Sequence, residues 1–377
     1  MAAFCSERAS RHDAGVVSLV PVPGRSLPNR ALIASPDDRV LITGSAGFIG
    51  ARVVKTVLDY GFKNVTCMVR PASNRSRLES VIRQHPEANV RIVEGNLLSP
   101  ADCRAATQDA TLVLHLAAGT GKTFAGCVLS SVVTTKNLLE AIQEPQKVKR
   151  FVNVSSFSVY SNFDLSRNAM LDETCALETK HVDRNEPYAY AKLKQDELVQ
   201  EYSSRLNIPY VIVRPGAVYG PGKADVTGRV GIDTFGFFLH LGGRNRIPFT
   251  YVDNCADAIV LAGIVKGVDG LAFNVVDDDL PTSKNFFAAY RSRVWARRYV
   301  AVPYRAFYVL CWLWERYAQR SNGQIPAVFN RRRCSAYWKG NRYSNQRLKD
   351  LLGWTPAVPF REGSQLYFEY LKGIRTC

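Results

Sequence analysis

The amino-acid sequence predicts an α/β fold, in which helices cover both faces of a doubly wound parallel sheet, followed by a smaller C-terminal domain. Three observations carry this prediction. Short apolar segments alternate with amphipathic ones over residues 38–220, a glycine-rich turn follows the first of them, and the alternation breaks down in two later stretches. Strands and helices that alternate at this interval form parallel sheets with right-handed crossovers.

Length, composition and charge narrow the class of protein. The 377 residues suffice for one large domain or two ordinary ones, and 46% hydrophobic with 22% charged residues is typical of a globular protein. The nine cysteines include no C-x-x-C pair, which favours reduced core thiols in a cytoplasmic protein over a disulfide scaffold or a zinc site. No apolar stretch reaches the ~20 residues that a membrane-spanning helix needs.

The positive charge is unevenly distributed along the chain. The formal net charge is +16, and twelve Arg and one Lys lie between Arg291 and Arg347, where Glu315 is the only acid. Such a field attracts an anionic partner. The N-terminal residues 1–37 lack an apolar segment typical of a secretory signal, and we expect them to form a disordered extension.

The stretch from Val40 to Gly50 is the strongest local signal, because it combines an apolar strand, a turn and the start of a helix. Its glycine spacing is G-x-x-G-x-x-G, which differs from the standard dinucleotide fingerprint G-x-G-x-x-G. Gly44 and Gly47 allow a tight turn close to a phosphate, and Gly50 lets the helix pack on the strand. The free N–H groups at the helix N-terminus suit a pyrophosphate. We therefore interpret this stretch as a cofactor turn and not as a plain flexible turn.

The end of the second predicted strand, residues 65–69, bears on the choice of cofactor. An acid at this position would hold the ribose hydroxyls of NAD, whereas a base suits the 2′-phosphate of NADP. The residue here is Arg70, and Arg75 and Arg77 follow closely. The sequence therefore predicts NADP over NAD, with a solvated strand end as the alternative explanation of Arg70.

A later predicted strand, residues 111–116, ends in small side chains. Leu116, Ala117 and Ala118 permit the close approach of a flat or extended ligand. His115 lies inside the same apolar strand. We predict that it is a hydrogen-bonded core residue and not a site residue, because such positions are usually buried.

Residues suited to catalysis follow the strand predicted at 150–155. Ser156 comes directly after it, and Tyr188 and Lys192 lie four residues apart in a helix that Pro187 opens, so they share one face. A tyrosine with a pKa of ~10 is a poor acid–base catalyst, and we expect the neighbouring ammonium to lower that pKa. A serine hydroxyl can bind the substrate oxygen while the tyrosine moves the proton. This set is typical of alcohol–ketone interconversion beside a nicotinamide.

With these motifs the chain resembles the extended short-chain dehydrogenase/reductase family, of the NAD-dependent epimerase/dehydratase superfamily, over about residues 38–371. The motifs that carry the resemblance are the glycine turn at 43–50, Leu116-Ala117-Ala118, Ser155-Ser156 before Val159-Tyr160, Tyr188-x-x-x-Lys192, Arg-Pro-Gly-Ala-Val-Tyr-Gly-Pro-Gly at 214–222, Tyr-Val-Asp-Asn-Cys-Ala-Asp-Ala at 251–258, and Leu-Leu-Gly-Trp-x-Pro at 351–356. The long apolar and basic C-terminal part is most similar to the 3β-hydroxysteroid dehydrogenase-like branch.

The resemblance implies a domain division and a set of site residues. A Rossmann-type NAD(P)-binding domain would comprise residues 38–220 and 251–278, and a smaller C-terminal substrate domain would comprise 221–250 and 279–377. Ser156, Tyr188 and Lys192 would be catalytic, and the equally spaced pair Tyr190 and Lys194 fits the family less well. The implied cofactor-binding residues are Gly44, Ala46, Gly47, Phe48, Ile49, Arg70, Asn96, Leu97, Leu116, Ala117, Ala118, Tyr188, Lys192, Pro215 and Val218. No metal is implied, and many relatives form homodimers through paired helices.

Four positions depart from the family pattern. Asn96 stands where the family often has Asp at the adenine edge, and Asn can still accept and donate there. An Asn common in the long fourth helix, predicted here at 128–142, corresponds to Ser131. Phe157 and Ser158 replace the Asp–Glu pair of the sugar-nucleotide dehydratases, so we do not expect water elimination.

Two C-terminal features suggest how the substrate is presented. Residues 305–317 form an apolar, aromatic helix candidate, which we expect to pack over an apolar substrate pocket; a helix lying on a membrane surface is the alternative. The cluster of Arg331, Arg332 and Arg333 fits a pyrophosphate or carboxylate of the substrate, or a solvated or lipid-facing patch. Nucleic acid is disfavoured, because no nucleic-acid-binding module accompanies the cluster.

These observations lead to one function hypothesis and two alternatives. The first is an NAD(P)-dependent oxidoreductase acting on a hydroxyl or keto group of a lipid-like, anionic or membrane-presented small molecule, in the cytoplasm or at the periphery of a membrane. The second is a nucleotide-sugar epimerase similar to UDP-glucose 4-epimerase, with tightly bound NAD. The third, a non-catalytic binding protein, is disfavoured by the intact set of Ser156, Tyr188 and Lys192.

Overall fold

Strands and helices alternate through the first part of the chain, as the sequence predicts. The computed structural model describes residues 30–121, 123–234, 236–295, 298–322 and 324–376. The strands are β1 (Arg39–Thr43), β2 (Asn64–Val69), β3 (Asn89–Glu94), β4 (Leu112–His115), β5 (Arg150–Val154), β6 (Met170–Leu171), β7 (Tyr210–Pro215), β8 (Ala217–Tyr219), β9 (Gly231–Thr234), β10 (Phe237–His240), β11 (Phe249–Tyr251), β12 (Ala272–Val275), β13 (Tyr299–Ala301) and β14 (Arg342–Tyr343). The helices are α1 (Gly50–Asp59), α2 (Ser76–Arg83), α3 (Pro100–Thr107), α4 (Phe124–Cys127), α5 (Thr134–Glu140), α6 (His181–Arg184), α7 (Pro187–Leu206), α8 (Val252–Ile264), α9 (Ser283–Arg293), α10 (Tyr304–Arg320), α11 (Arg331–Trp338), α12 (Gln346–Leu352) and α13 (Phe360–Thr376).

The main sheet is parallel throughout and has seven strands, in the order β12-β7-β5-β4-β1-β2-β3. The strand order reverses between β1 and β4, because the chain leaves β3 at one edge and crosses back to the other side of β1. The carboxyl ends of β1, β4 and β5 therefore meet at the crevice where doubly wound sheets bind their ligands. This topology confirms the predicted α/β class.

Side chains on the central strands alternate between two cores. Val40 and Ile42 of β1 pack in the core that contains α1 and α8, whereas Leu41 packs on the other side with Leu138 and Val199 of α5 and α7. The period of two follows from the pleat. Burial on both faces explains why β4 and β5 consist of buried residues throughout.

The long helix predicted over 128–142 begins earlier and is not uniform. It starts with α4, continues as a π-helical stretch, Val128–Val133, and ends with α5. Within the π-helical stretch, the Ser131 hydroxyl accepts a hydrogen bond from the Gly119 N–H at 3.0 Å, just beyond β4. π-Helical turns interrupt α-helices mostly at functional sites.

The ends of the chain differ in part from the sequence prediction. Residues 30–37 are folded and not extended into solvent, since the Ile33 N–H donates to the Ile264 carbonyl at 2.8 Å and Ala34 is buried. The rest of the predicted extension, residues 1–29, lies outside the described residues. The two stretches predicted to break the alternation, residues 222–250 and about 280–343, contribute the small sheet of β13, β10 and β9, together with helices α9 to α11.

The cysteines agree with the prediction of free core thiols. The seven within the described residues are all free, and each of them except Cys175 is buried. Cys311 and Cys334 pack with Leu241, Phe307 and Trp338 in a separate small core beneath α10 and α11.

Candidate active site

The glycine turn after β1 leaves no room for side chains. Gly44 has φ +70°, a conformation that favours glycine. A Cβ on Gly50 would lie 2.1 Å from the Gly44 carbonyl oxygen, so the helix start and the turn are in backbone contact. The N–H groups of Phe48 and Ile49 have no hydrogen-bond acceptor among the described residues. The turn therefore fits a pyrophosphate, which requires close backbone approach and free N–H donors.

The end of β4 lies beside this turn. The Ala117 N–H donates to the Thr43 hydroxyl at 3.3 Å, and the Leu116 N–H donates to the Thr43 carbonyl at 3.3 Å. A Cβ on Gly44 would lie 3.1 Å from the Ala117 nitrogen. The structure thus brings together the glycines and the small residues at 116–118, which the sequence predicts to line one groove.

The residues predicted at the adenosine end follow two adjacent strands. Arg70 comes after β2 and is exposed, and it forms no ion pair with the described residues. Asn96 comes after β3, where its side-chain oxygen accepts from the Leu98 N–H at 3.0 Å. The Leu97 carbonyl accepts from Asn137 at 3.0 Å. Arg70 is therefore the cation of this group that is available to a ligand, and the amide of Asn96 keeps its N–H groups.

Ser156 and Tyr188 meet at the carboxyl end of β5. Ser156 lies two residues beyond the strand, and Tyr188 lies in the first turn of α7, which Pro187 opens. Desolvation raises the pKa of Tyr188 to about 12, and contact with the Ser156 hydroxyl opposes this rise. The pKa of Tyr188 is therefore raised and not lowered as the sequence predicts, because desolvation outweighs the groups that oppose it.

Lys192 is buried one turn further along α7, and its ammonium group has internal partners. Its Nζ donates to the Val154 carbonyl at 2.6 Å and to the Gln195 side-chain oxygen at 2.9 Å. Burial lowers the pKa of Lys192 to about 8, against the opposing charge of Asp196. The side chain is thus fixed between β5 and α7.

A chain of hydrogen bonds connects Lys192 to the end of β1. Gln195 donates to the Thr135 hydroxyl at 2.7 Å, and the two ring nitrogens of His115 lie 2.8 Å from Thr135 and 2.7 Å from Thr43. Thr135 already donates to a backbone carbonyl, so the His115 Nε2 carries the hydrogen. Burial lowers the pKa of His115 to about 3, with Lys192 contributing. The prediction of a hydrogen-bonded core histidine is confirmed.

A second buried network lies beneath the site, and sequence reasoning missed its acid. Asp196 accepts from Asn153 at 2.8 Å and from the Ser155 hydroxyl at 2.9 Å, and it pairs with Arg214 at 3.3 Å. Arg214 also donates to the Tyr160 hydroxyl at 3.0 Å. Burial raises the pKa of Asp196, and Arg214 opposes that rise. The available signal was the position of Asp196, four residues after Lys192 and on the same helix face.

Other predicted residues flank this centre. Pro215 ends β7, which pairs directly with β5, and Val218 is buried in β8. The competing pair is split, since Lys194 binds Glu197 at 2.6 Å near the surface, and the Tyr190 ring packs against Phe124 at a centroid distance of 5.5 Å. Unlike Tyr188 and Lys192, this pair thus has its cation on a surface acid and its ring on α4.

The clustered arginines are largely occupied by acids of the same chain. Arg331 binds Glu315 at 2.7 Å, and Arg332 binds Glu178 at 3.0 Å. Both arginines border a cavity of about 550 Å³, which none of the predicted catalytic or cofactor-binding residues lines. The cluster is thus mainly structural in this arrangement.

The predicted apolar helix corresponds to α10, but only one of its sides packs inward. Phe307, Cys311 and Ala318 are buried, whereas Leu310 and Leu313 face solvent. The expectation of a helix covered by the protein therefore holds for one side only. None of the helices in the described part of the chain combines the length and hydrophobicity needed to cross a bilayer.

The parallel sheet, the glycine turn at the reversal of strand order and the polar centre beside it together define a dinucleotide-dependent enzyme. The profile of the NAD dependent epimerase/dehydratase family matches residues 40–275, and the chain belongs to this family. Its cofactor is accordingly a nicotinamide dinucleotide.

Individual relatives differ in the reactions that their names describe. A decarboxylating sterol-4-alpha-carboxylate 3-dehydrogenase of Candida albicans is 25% identical over 360 residues, which cover 88% of this chain and 97% of the relative. An uncharacterized UDP-glucose epimerase of Bacillus subtilis is 26% identical over 235 residues, 59% of this chain and 71% of the relative. The structure of UDP-glucuronic acid 4-epimerase from Bacillus cereus, in complex with UDP-glucuronic acid and NAD, shares the fold with a TM-score of 0.65 at 22% identity, over 89% of this chain and 99% of that one.

Proposed function

We propose that this protein is an NAD(P)-dependent oxidoreductase that interconverts a hydroxyl and a keto group, with Ser156, Tyr188 and Lys192 as its catalytic residues. The observation that best supports the proposal is the placement of Ser156 just beyond β5 and of Tyr188 and Lys192 on α7, which the 2.6 Å hydrogen bond from Lys192 to the Val154 carbonyl fixes to the end of β5. This strand is separated from β1 and its glycine turn by β4 alone. A substrate oxygen bound by the two hydroxyls would therefore lie in the groove that begins at Gly44.

Each side chain has a distinct role in this proposal. When bound, the nicotinamide exchanges a hydride with the substrate carbon. The Tyr188 phenol is protonated at neutral pH, because its pKa is raised to about 12, so it can donate a proton to the carbonyl oxygen. The Ser156 hydroxyl orients that oxygen. Lys192, on the same face of α7, stabilises the phenolate that forms as the proton leaves.

The cofactor is held by the glycine turn and by the strand ends beside it. The N–H groups of Phe48 and Ile49 would bind the pyrophosphate, and the small residues Ala117 and Ala118 would allow the dinucleotide to lie against β4. Arg70 would bind the ribose phosphate of NADP. Because the Arg70 side chain has no partner among the described acids, a phosphate gains an ion pair without breaking another.

A lipid-like substrate has more support than a nucleotide sugar. The Candida sterol dehydrogenase aligns with 88% of this chain, well beyond the domain that binds the cofactor. Arg331 and Arg332, which the sequence offers as ligands of a diphosphate, are already paired with Glu315 and Glu178. A diphosphate would have to displace these carboxylates, which costs binding energy.

Nucleotide-sugar epimerisation is the second candidate, because a relative named as a UDP-glucose epimerase aligns over 235 residues, 59% of this chain. The two reactions differ in their use of the cofactor. A dehydrogenase converts one equivalent of cofactor for each substrate molecule, whereas an epimerase oxidises and re-reduces the same sugar and leaves the bound cofactor unchanged. Assays of hydroxysterols and of UDP-sugars, which follow both cofactor absorbance and product configuration, distinguish them.

The decisive variant is Tyr188→Phe. It should lower kcat by about 10²- to 10⁴-fold, since the general acid is lost, and leave the dissociation constant of the cofactor nearly unchanged. Tyr190→Phe, two residues along the same helix, is the matched control and should retain kcat. Full turnover by the Tyr188→Phe enzyme, or equal losses in both variants, would overturn the proposed mechanism.

A further inference from the structure

Helix α10 presents a continuous apolar stripe to solvent. Leu310, Leu313 and Tyr317 are 55%, 50% and 58% exposed, and Trp314 is also exposed. Spacings of three and four residues place these side chains on one face of a helix. With Phe329 from the following segment they border an open groove of about 340 Å³ whose lining residues are all apolar or aromatic except for Cys311.

A row of arginines runs beside this stripe. Arg305, Arg316 and Arg320 are exposed, and 3.6 residues per turn puts them within roughly 60° of one another around the axis. Glu315 is the only acid of α10. Its carboxylate is held by the Arg331 N–H at 2.6 Å and by the Arg331 side chain at 2.7 Å, so it does not neutralise the row.

The apolar stripe and the arginine row together fit one kind of partner surface. An apolar stripe that contains Trp and Tyr suits the boundary between acyl chains and headgroups, and the adjoining arginines suit lipid phosphates, which their long stems reach from that depth. A second copy of the chain is a poorer fit, because antiparallel two-fold pairing of this face would place one arginine row near another.

We propose that α10 docks this protein on the surface of an anionic lipid bilayer, with the stripe of Leu310, Leu313, Trp314 and Tyr317 in the headgroup boundary and the arginine row on the phosphates. The helix lies parallel to the surface, since it is joined to α11 beneath it through Glu315 and Arg331. Docking does not depend on the reaction that the site performs, and it is measured without substrate.

Vesicle flotation of the full-length chain tests this proposal. The protein should float with vesicles of phosphatidylcholine and phosphatidylserine, and not with phosphatidylcholine alone. The double variant Leu310→Gln, Leu313→Gln should lower the partition coefficient about tenfold or more, because interfacial binding scales with buried apolar area. The triple variant Arg305→Gln, Arg316→Gln, Arg320→Gln should lower it roughly a hundredfold at low salt and less at high salt.

Matched controls carry the same chemical changes elsewhere on the surface. Met170→Gln, Leu351→Gln replaces two other exposed apolar residues, and Arg83→Gln, Arg91→Gln, Arg104→Gln removes the same charge from the region of α2, β3 and α3. Both controls should float like the unmodified chain. An equal loss in the controls, or no flotation of the unmodified chain with anionic vesicles, would overturn the proposal.

Two further measurements separate docking from misfolding and from self-association. Brominated lipids should quench the tryptophan fluorescence of the unmodified chain, and Trp314→Phe should remove most of that quenching. A chain that is dimeric without vesicles, and that the Leu310→Gln, Leu313→Gln variant converts to a monomer, would assign the stripe to a second copy and refute the lipid surface.

Discussion

Charged residues occupy two regions of this molecule, one buried away from solvent and the other exposed to it. Beneath Tyr188, the charges of Lys192, Asp196 and Arg214 are buried, and each is bonded to protein groups. On α10 and at the end of β2, Arg305, Arg316, Arg320 and Arg70 are exposed and form no ion pair with an acid in the described part of the chain. The first set holds a fixed geometry, and the second is available to partners from outside.

The contrast shows which charged residues affect the free energy of unfolding and which do not. A buried charge is tolerated only where its partners compensate for lost hydration, so the network below the site depends on every member. Exposed charges contribute little to folding and can change with the partner that they bind. Substitutions in the two regions should therefore differ in kind as well as in size.

The largest effect is expected for Asp196→Ala. Its loss leaves Arg214 buried without a carboxylate, which costs about 3–5 kcal/mol of unfolding free energy. The adjacent Glu197→Ala removes an exposed acid paired with Lys194 and should cost no more than about 1 kcal/mol. Urea unfolding of the two variants measures both values. Similar losses of unfolding free energy in Asp196→Ala and Glu197→Ala would show that burial does not distinguish the two regions.

A smaller effect is expected in the pH dependence of stability. The pKa of Lys192 falls from 10.5 to about 8 on folding, so the unfolded chain binds more protons between these values and the free energy of unfolding rises with pH there. The difference between the unmodified chain and Lys192→Met isolates this titration. This difference in the free energy of unfolding should grow by up to about 1.4 kcal/mol per pH unit between pH 8 and 10.5.

The exposed Lys194→Met is the control for that measurement. The pKa of Lys194 is raised, with its hydrogen bond to Glu197 as the main cause, so its titration lies above the window. The difference in the free energy of unfolding between the unmodified chain and Lys194→Met should stay nearly constant between pH 8 and 10.5. A flat profile for Lys192→Met as well would mean that the ammonium is not desolvated in the folded chain.

The smallest effect is expected at Arg70. Replacing Arg70 by Ser should weaken NADP relative to NAD about fivefold, because one exposed ion pair contributes up to about 1 kcal/mol. Isothermal titration with both cofactors measures the ratio, and added salt should reduce it. Arg91→Ser, on the next strand, should leave the ratio unchanged. An unchanged ratio in Arg70→Ser would mark Arg70 as a solvated strand end.

The sequence predicted those features that depend on neighbours along the chain. Gly44, Gly47 and Gly50 defined the turn because a positive φ and a backbone contact are local requirements. Alternating apolar segments gave the strands and helices around the turn, and the handedness of their connections gave a parallel sheet. The spacing of Tyr188 and Lys192 likewise placed both on one helix face.

Features that depend on distant contacts escaped sequence reasoning. Lys192 donates to the Val154 carbonyl and is desolvated only because α7 packs against β5, and neither fact has a signature within the helix. The periodicity of α10 showed an amphipathic helix, but not how wide a sector its neighbours cover. The pairing of Arg331 with Glu315 was similarly hidden, because it joins two helices.

The π-helical stretch Val128–Val133 has a consequence for the direction of the side chains that follow it. A π-turn holds one residue more than an α-turn, so the stretch acts as a one-residue insertion that rotates everything after it by about 100°. That rotation sets the direction in which Thr135 points, toward His115 and Gln195.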